Sequence, residues 1–117
     1  MRPYLLIHCT DTARSSVWYQ ALGFQFRRQG RQHTWAELEW GGLLLFLHQS
    51  AAPRPEGFAM PGFEVTEPLE AVLKRLAPLT AGELPAILDE GFGRTATLHD
   101  PDGYAWSLNE HDPELYA

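Results

Sequence analysis

Cysteine is nearly absent from this chain of 117 residues: a lone Cys9 excludes an intrachain disulfide framework and any cysteine-rich zinc site. Positive charge is scarce as well. Nine Lys+Arg stand against fifteen Asp+Glu, a formal charge of −6. A surface of that sign cannot hold nucleic acid or an anionic membrane by neutralising phosphates. Long apolar runs are missing too. The longest, Leu43 to Leu47, is far too short to cross a bilayer, and the N-terminal residues show no signal-peptide h-region. What is present is a globular composition, 44% apolar, 12% aromatic and 21% charged. A chain of this length makes about one domain and can bury roughly two-thirds of its unfolded surface. The expectation is a soluble, acidic, cytoplasmic single domain over residues 1–117.

The apolar run Leu5–Cys9 reads as a buried strand, ending at Asp11–Thr12, either of which can cap a helix. From Ala13 to Leu22 the pattern predicts a helix with Val17, Trp18, Ala21 and Leu22 on one face, closed at Gly23. Phe24 to Arg28 reads as a second strand. Thr34 to Trp40 alternates, with Trp35, Glu37 and Glu39 on one face and Ala36, Leu38 and Trp40 on the other. Gly41–Gly42 supplies a tight hairpin into an apolar strand, Leu43 to His48. The first module, about residues 1–50, is therefore β-α-β-β-β.

A Pro-rich, unperiodic stretch at about 51–57 marks a linker. The second module, about residues 58–117, repeats the order. Phe58 to Thr66 is a strand bent by Pro61 and Gly62, and Pro68 opens a helix with the stripe Leu69, Val72, Leu73 and Leu76. Pro78 stops it. Pro85 to Leu88, Thr95 to His99 and Tyr104 to Asn109 complete the strands, the last two joined by Asp100–Pro101–Asp102–Gly103. An offset of 56 aligns the halves in pattern, pairing Ile7 with Phe63, Asp11 with Glu67 and Val17 with Leu73. The expectation is an α+β fold of two βαβββ modules curving around a barrel-like cavity, the natural place for a ligand.

Three stretches resemble the vicinal oxygen chelate superfamily, the glyoxalase, bleomycin-resistance and extradiol-dioxygenase group. They are Asp11 with Trp18–Tyr19–Gln20–Ala21–Leu22–Gly23–Phe24, Glu67 before the second helix, and Asp100–Pro101–Asp102–Gly103–Tyr104. Many members bind a divalent metal through two His or Gln and two Glu. Carried over by position, those ligands fall on Tyr4, on Met60, on Phe46 or its neighbour Leu45, and on Ser107. None of these is a competent ligand for such an ion. The resemblance thus implies the metal-free, bleomycin-resistance-like branch: no cofactor, a small-molecule ligand and a homodimer. The alternative is an enzyme of the same superfamily, a lyase, isomerase or dioxygenase with a non-standard site.

Strand periodicity places Tyr4, Leu6 and His8 on one face of the first strand, and Ala105, Ser107 and Asn109 on one face of the last. With Trp35 and Glu37 (or the opposite face of their strand), Phe46, His48 and Met60, they are the expected ligand-binding set. Aromatic rings with a few carboxylates suit an aromatic or cationic guest, with Glu37 or Glu39 opposing positive charge. His8, His48 and Glu37 are the candidates for acid–base chemistry. A rewired metal site would draw on His8, His48, Glu37 and His99. Cys9 reads as a buried hydrophobe, His33 and His111 as incidental, and Arg27, Arg28 and Arg31 as a solvated strand end.

Overall fold

The computed structural model describes residues 2–80 and 84–115. It divides into two compact units, Met1–Gly57 and Phe58–Ala117. The first runs β1 (Tyr4–Cys9), α1 (Thr12–Leu22), β2 (Gln25–Gln29), β3 (Trp35–Trp40) and β4 (Leu43–Gln49). Its sheet has the order β1-β4-β3-β2, with β1 parallel to β4 and the other pairs antiparallel. Gly41 and Gly42, both at positive φ, close the β3–β4 hairpin without the backbone strain an L side chain would carry there. The face toward α1 carries Ile7, Cys9, Ala36, Leu38, Leu45 and Leu47, all buried.

The second unit repeats the plan with β5 (Gly62–Glu64), α2 (Leu69–Leu76), β6 (Leu88–Glu90), β7 (Gly93–His99) and β8 (Ala105–His111). Its order is β5-β8-β7-β6, with β5 parallel to β8. The expected helix stripe of Leu69, Val72, Leu73 and Leu76 is buried. Trp106, Leu108, Ala96 and Leu98 form the sheet side of that core, and the Phe63 ring stacks on Trp106 at 5.4 Å and 9°. Asp100 shapes the turn before β8, its Oδ1 accepting the backbone N–H groups of Asp102 and Tyr104 at 2.9 Å each. Gly93 is required sterically: its φ is +147°, and a Cβ there would meet the Glu110 carbonyl oxygen at 1.9 Å. Among the described residues, no helix is long and apolar enough to cross a membrane.

Four expectations are corrected. The buried face of α1 is Thr12, Ser15, Ser16, Trp18, Tyr19 and Leu22, while Val17 is 52% exposed. Trp18 and Leu22 of the expected face are buried, but Val17 and Ala21 give way to Thr12, Ser15 and Ser16, small hydroxyl residues that an apolar count passes over. The two helices therefore align at an offset of 57 rather than 56: Thr12, Ser15, Ser16 and Tyr19 match Leu69, Val72, Leu73 and Leu76, and every one is buried. The strand expected over Phe58–Thr66 shrinks to Gly62–Glu64, because Pro61 has no N–H to donate, although its carbonyl still accepts from Ser107 at 2.9 Å. The strand expected at Pro85–Leu88 lies later, at Leu88–Glu90, where it pairs with Gly93–Thr95 across a tight turn.

Each helix is capped from a distance at the same place. The N–H of Thr12, the first residue of α1, donates to Gln49 Oε1 at 3.2 Å, and that of Leu69, the first of α2, donates to Glu110 Oε2 at 3.1 Å. Gln49 ends β4 and Glu110 is next to last in β8. Asp11 adds a local cap to α1, accepting from Arg14 N at 3.1 Å. Pro68 gives α2 no such side chain, so Glu110 is its acceptor.

Candidate functional site

The face of the first sheet turned away from α1 is arranged in three rungs. Register places Tyr4 beside Leu44 and Glu39, Leu6 beside Phe46 and Glu37, and His8 beside His48 and Trp35. The alternative left open in the sequence is thereby settled: Trp35, Glu37 and Glu39 share the face of Tyr4, Leu6 and His8. Of the two residues at the closing-strand position, Phe46 is on this face and Leu45 is buried toward α1.

The rings touch in a continuous series. Tyr4 and Phe46 have centroids 4.4 Å apart, Trp35 and Phe46 5.1 Å, Trp35 and His48 5.4 Å, and His8 and His48 5.5 Å. The separations suit tilted and edge-on aromatic contact. Tyr4 and His48 are exposed, Leu6 borders on it, and Phe46, Trp35 and His8 are half-buried. An aromatic, solvent-reachable surface results, with the imidazoles at one end.

The carboxylates on this face are already engaged. Arg28 Nε donates to Glu37 Oε2 at 2.5 Å, and Arg27 pairs with Glu39. A register shift between Phe26 and Arg28 turns consecutive arginines toward the two acids. The Glu37 side chain is only 3% exposed and Arg28 78%, so the guanidinium lies in solvent over the acid. The arginines are solvated as expected, and they also neutralise the charges assigned to a cationic guest. Sequence alternation identified Glu37 and Glu39; their partners depend on the bulge, for which the sequence carries no plain signal.

In the second unit Ala105, Ser107 and Asn109 share the face turned away from α2, with Thr95 and Thr97 beside them on β7. Thr95 Oγ1 and Ser107 Oγ lie 2.9 and 3.2 Å from Asn109 Oδ1. The face is polar and small-chained where its counterpart in the first unit is aromatic. Thr95 and Thr97 were missed, although their alternation with the buried Ala96 and Leu98 marks them. Met60 is exposed ahead of β5, and His99 is exposed at the end of β7. A hollow of about 370 Å³ in the first unit, lined by Thr10, Thr34, Gln49, Ser50 and Ala51, contains none of the expected residues.

The positions to which the resemblance carries metal ligands offer a phenol at Tyr4, a thioether at Met60, a phenyl ring at Phe46 and a hydroxyl at Ser107. That donor set does not fit a divalent cation held by imidazole and carboxylate. The rewired set of His8, His48, Glu37 and His99 does not assemble either: among the described residues no three of His, Cys, Asp and Glu converge as a metal-holding group. His8 and His48 do stand together. Cys9 is buried against α1, its Sγ 3.8 Å from Thr12 Oγ1. His111 is placed by Glu64 at 3.8 Å and the Phe92 ring at 5.2 Å.

No protein-family model matches the chain, and no curated protein matches it in sequence. Solved structures do match in fold. A bleomycin-binding protein complexed with bleomycin is 19% identical, with a TM-score of 0.65, covering 96% of this chain and 99% of that one. TioX from Micromonospora sp. ML1 is 18% identical, with a TM-score of 0.70 over 96% of this chain and 99% of that one. A variant of the fosfomycin resistance protein FosX from Listeria monocytogenes, complexed with Mn(II) and 1S,2S-dihydroxypropylphosphonic acid, is 14% identical. Its TM-score is 0.77, over 96% of this chain and 90% of that one. With its two βαβββ units and these neighbours, the chain has the vicinal oxygen chelate fold of the bleomycin-resistance and fosfomycin-resistance proteins.

Proposed function

We propose that the protein binds a planar aromatic small molecule by stacking it on the face formed by Tyr4, Phe46 and Trp35, without help from a metal. The observation that carries this reading is the contact series from Tyr4 through Phe46 to Trp35 on a face that α1 leaves uncovered. Such rings offer a guest large apolar area, and each well-placed stack adds about 1 kcal/mol beyond that area. Because Arg27 and Arg28 occupy Glu39 and Glu37, aromatic character rather than positive charge is the property selected. The likeness to a protein solved with bleomycin supports a binding role for the fold.

The test is a titration of planar aromatic compounds in the presence of a chelator, read by quenching of tryptophan fluorescence. Saturable binding is expected, weakened about tenfold by Trp35→Ala or Phe46→Ala, the equivalent of about 1.4 kcal/mol. Absence of saturation across the panel, or affinity indifferent to both substitutions, overturns the reading. His8 and His48 on the same face favour the enzymatic alternative, a lyase, isomerase or dioxygenase. Chemical conversion of a bound compound, lost in His48→Ala, would replace binding with catalysis.

A further inference from the structure

We infer that His8 and His48 form a two-imidazole site for a borderline divalent transition-metal ion such as Zn2+, Ni2+ or Cu2+. The residues are direct register partners on adjacent parallel strands, so their backbone spacing is set by the ladder rather than by a loop. Their ring centres are 5.5 Å apart. With metal–nitrogen bonds of about 2.1 Å and the ring centre roughly 1 Å behind the nitrogen, two imidazoles on one tetrahedral ion have centres about 5 Å apart. The 5.5 Å between the His8 and His48 ring centres is close to that spacing, so a small side-chain rotation lets both rings share one ion. Among the described residues no side-chain hydrogen bond or ion pair engages either ring, whereas His111 has Glu64 beside it. Both rings are solvent-reachable, and imidazole is a favoured donor for these ions.

The site is distinct from the positions that the superfamily resemblance assigns to a metal, which fall on Tyr4, Phe46, Met60 and Ser107. It is also independent of guest binding, because the remaining coordination positions go to water. Neither Glu37 nor His99 takes part.

The experiment uses the whole protein and metal alone, with no organic guest. Zn2+ is titrated calorimetrically, and Ni2+ is followed by quenching of Trp35, whose ring lies 5.4 Å from that of His48. One ion per chain is expected, with affinity reduced at least about tenfold in His8→Ala and in His48→Ala. It should be unchanged in a triple His33→Ala, His99→Ala, His111→Ala control. In the unaltered protein, Zn2+ should move the imidazole NMR signals of His8 and His48 together and leave the other three in place. Affinity unchanged from the unaltered protein in either single variant, loss in the triple control, or signals that do not move overturns the assignment. Guest binding measured in chelator is unaffected by any of these outcomes, so the two conclusions fail separately.

Discussion

Glu37 shows how much a single partner can decide. Its carboxylate is taken out of water on the β3 rung, and the Arg28 guanidinium is the group that meets it, at 2.5 Å. Removing one member of such a pair leaves a desolvated charge, which costs more than the pair itself contributes. Arg28 stays in solvent, which screens the interaction and tempers the loss. Arg28→Ala is therefore expected to destabilise by about 2 kcal/mol, on the scale of a hydrogen bond to a charged group. Arg27→Ala, at a pair open to water on both sides, should cost about 0–1 kcal/mol. Urea unfolding of the two variants checks the ranking. Equal losses would show that Glu37 is not held by Arg28.

Among the elements, α2 depends most on remote groups. Arg94 on β7 joins Glu70 of α2, at 2.6 and 3.1 Å, to Glu110 of β8, at 2.8 and 2.9 Å, while Glu110 also accepts from Leu69 N. Hydrogen bonding to Arg94 is the leading cause that holds both carboxyl groups below their ordinary value of 4.5, and Arg94 is raised in turn. Between that ordinary value and the lowered folded one, the unfolded chain binds more protons than the folded chain. The stabilisation is thus complete above about pH 4.5 and is lost as the pH falls below it. Thermal melting between pH 6 and pH 3 should show this decline. In Glu110→Gln the midpoint at pH 6 is lower and its fall on acidification shallower; parallel curves would refute the role given to Arg94.

How far the elements were legible follows from the same chemistry. Gly41–Gly42, Pro78 and Asp100–Gly103 announce themselves because turn geometry is local. The α2 stripe is legible because its packing is aliphatic. The α1 face is legible only in Trp18 and Leu22, because Thr12, Ser15 and Ser16 pack as small residues while spelling polar ones. The caps at Gln49 and Glu110 were out of reach, since both act across more than thirty residues. At the site, alternation placed Tyr4, Leu6, His8, Phe46 and His48 on common faces, but nothing local orients Arg27 and Arg28.

At the scale of the molecule, the strand pairings among the described residues lie inside one unit or the other, and the stretch 51–57 is largely exposed. Gly57 sits at positive φ with open space around it. Doubling the length of a flexible connection costs only about 0.6 kcal/mol. Inserting six Gly/Ser residues after Gly57 is therefore expected to leave the far-UV spectrum unchanged and to lower stability by less than about 1 kcal/mol. A larger loss in chemical denaturation would mean that the connection itself carries structure.

The remote caps have a consequence for how the protein is made. One of the two inner strands of each sheet, β4 or β8, is the last strand of its unit to leave the ribosome, and it brings the acceptor for a helix begun 37 or 41 residues earlier. Until Gln49, and later Glu110, emerges from the exit tunnel, β1 or β5 lacks its pairing strand and the first N–H of the helix lacks its side-chain acceptor.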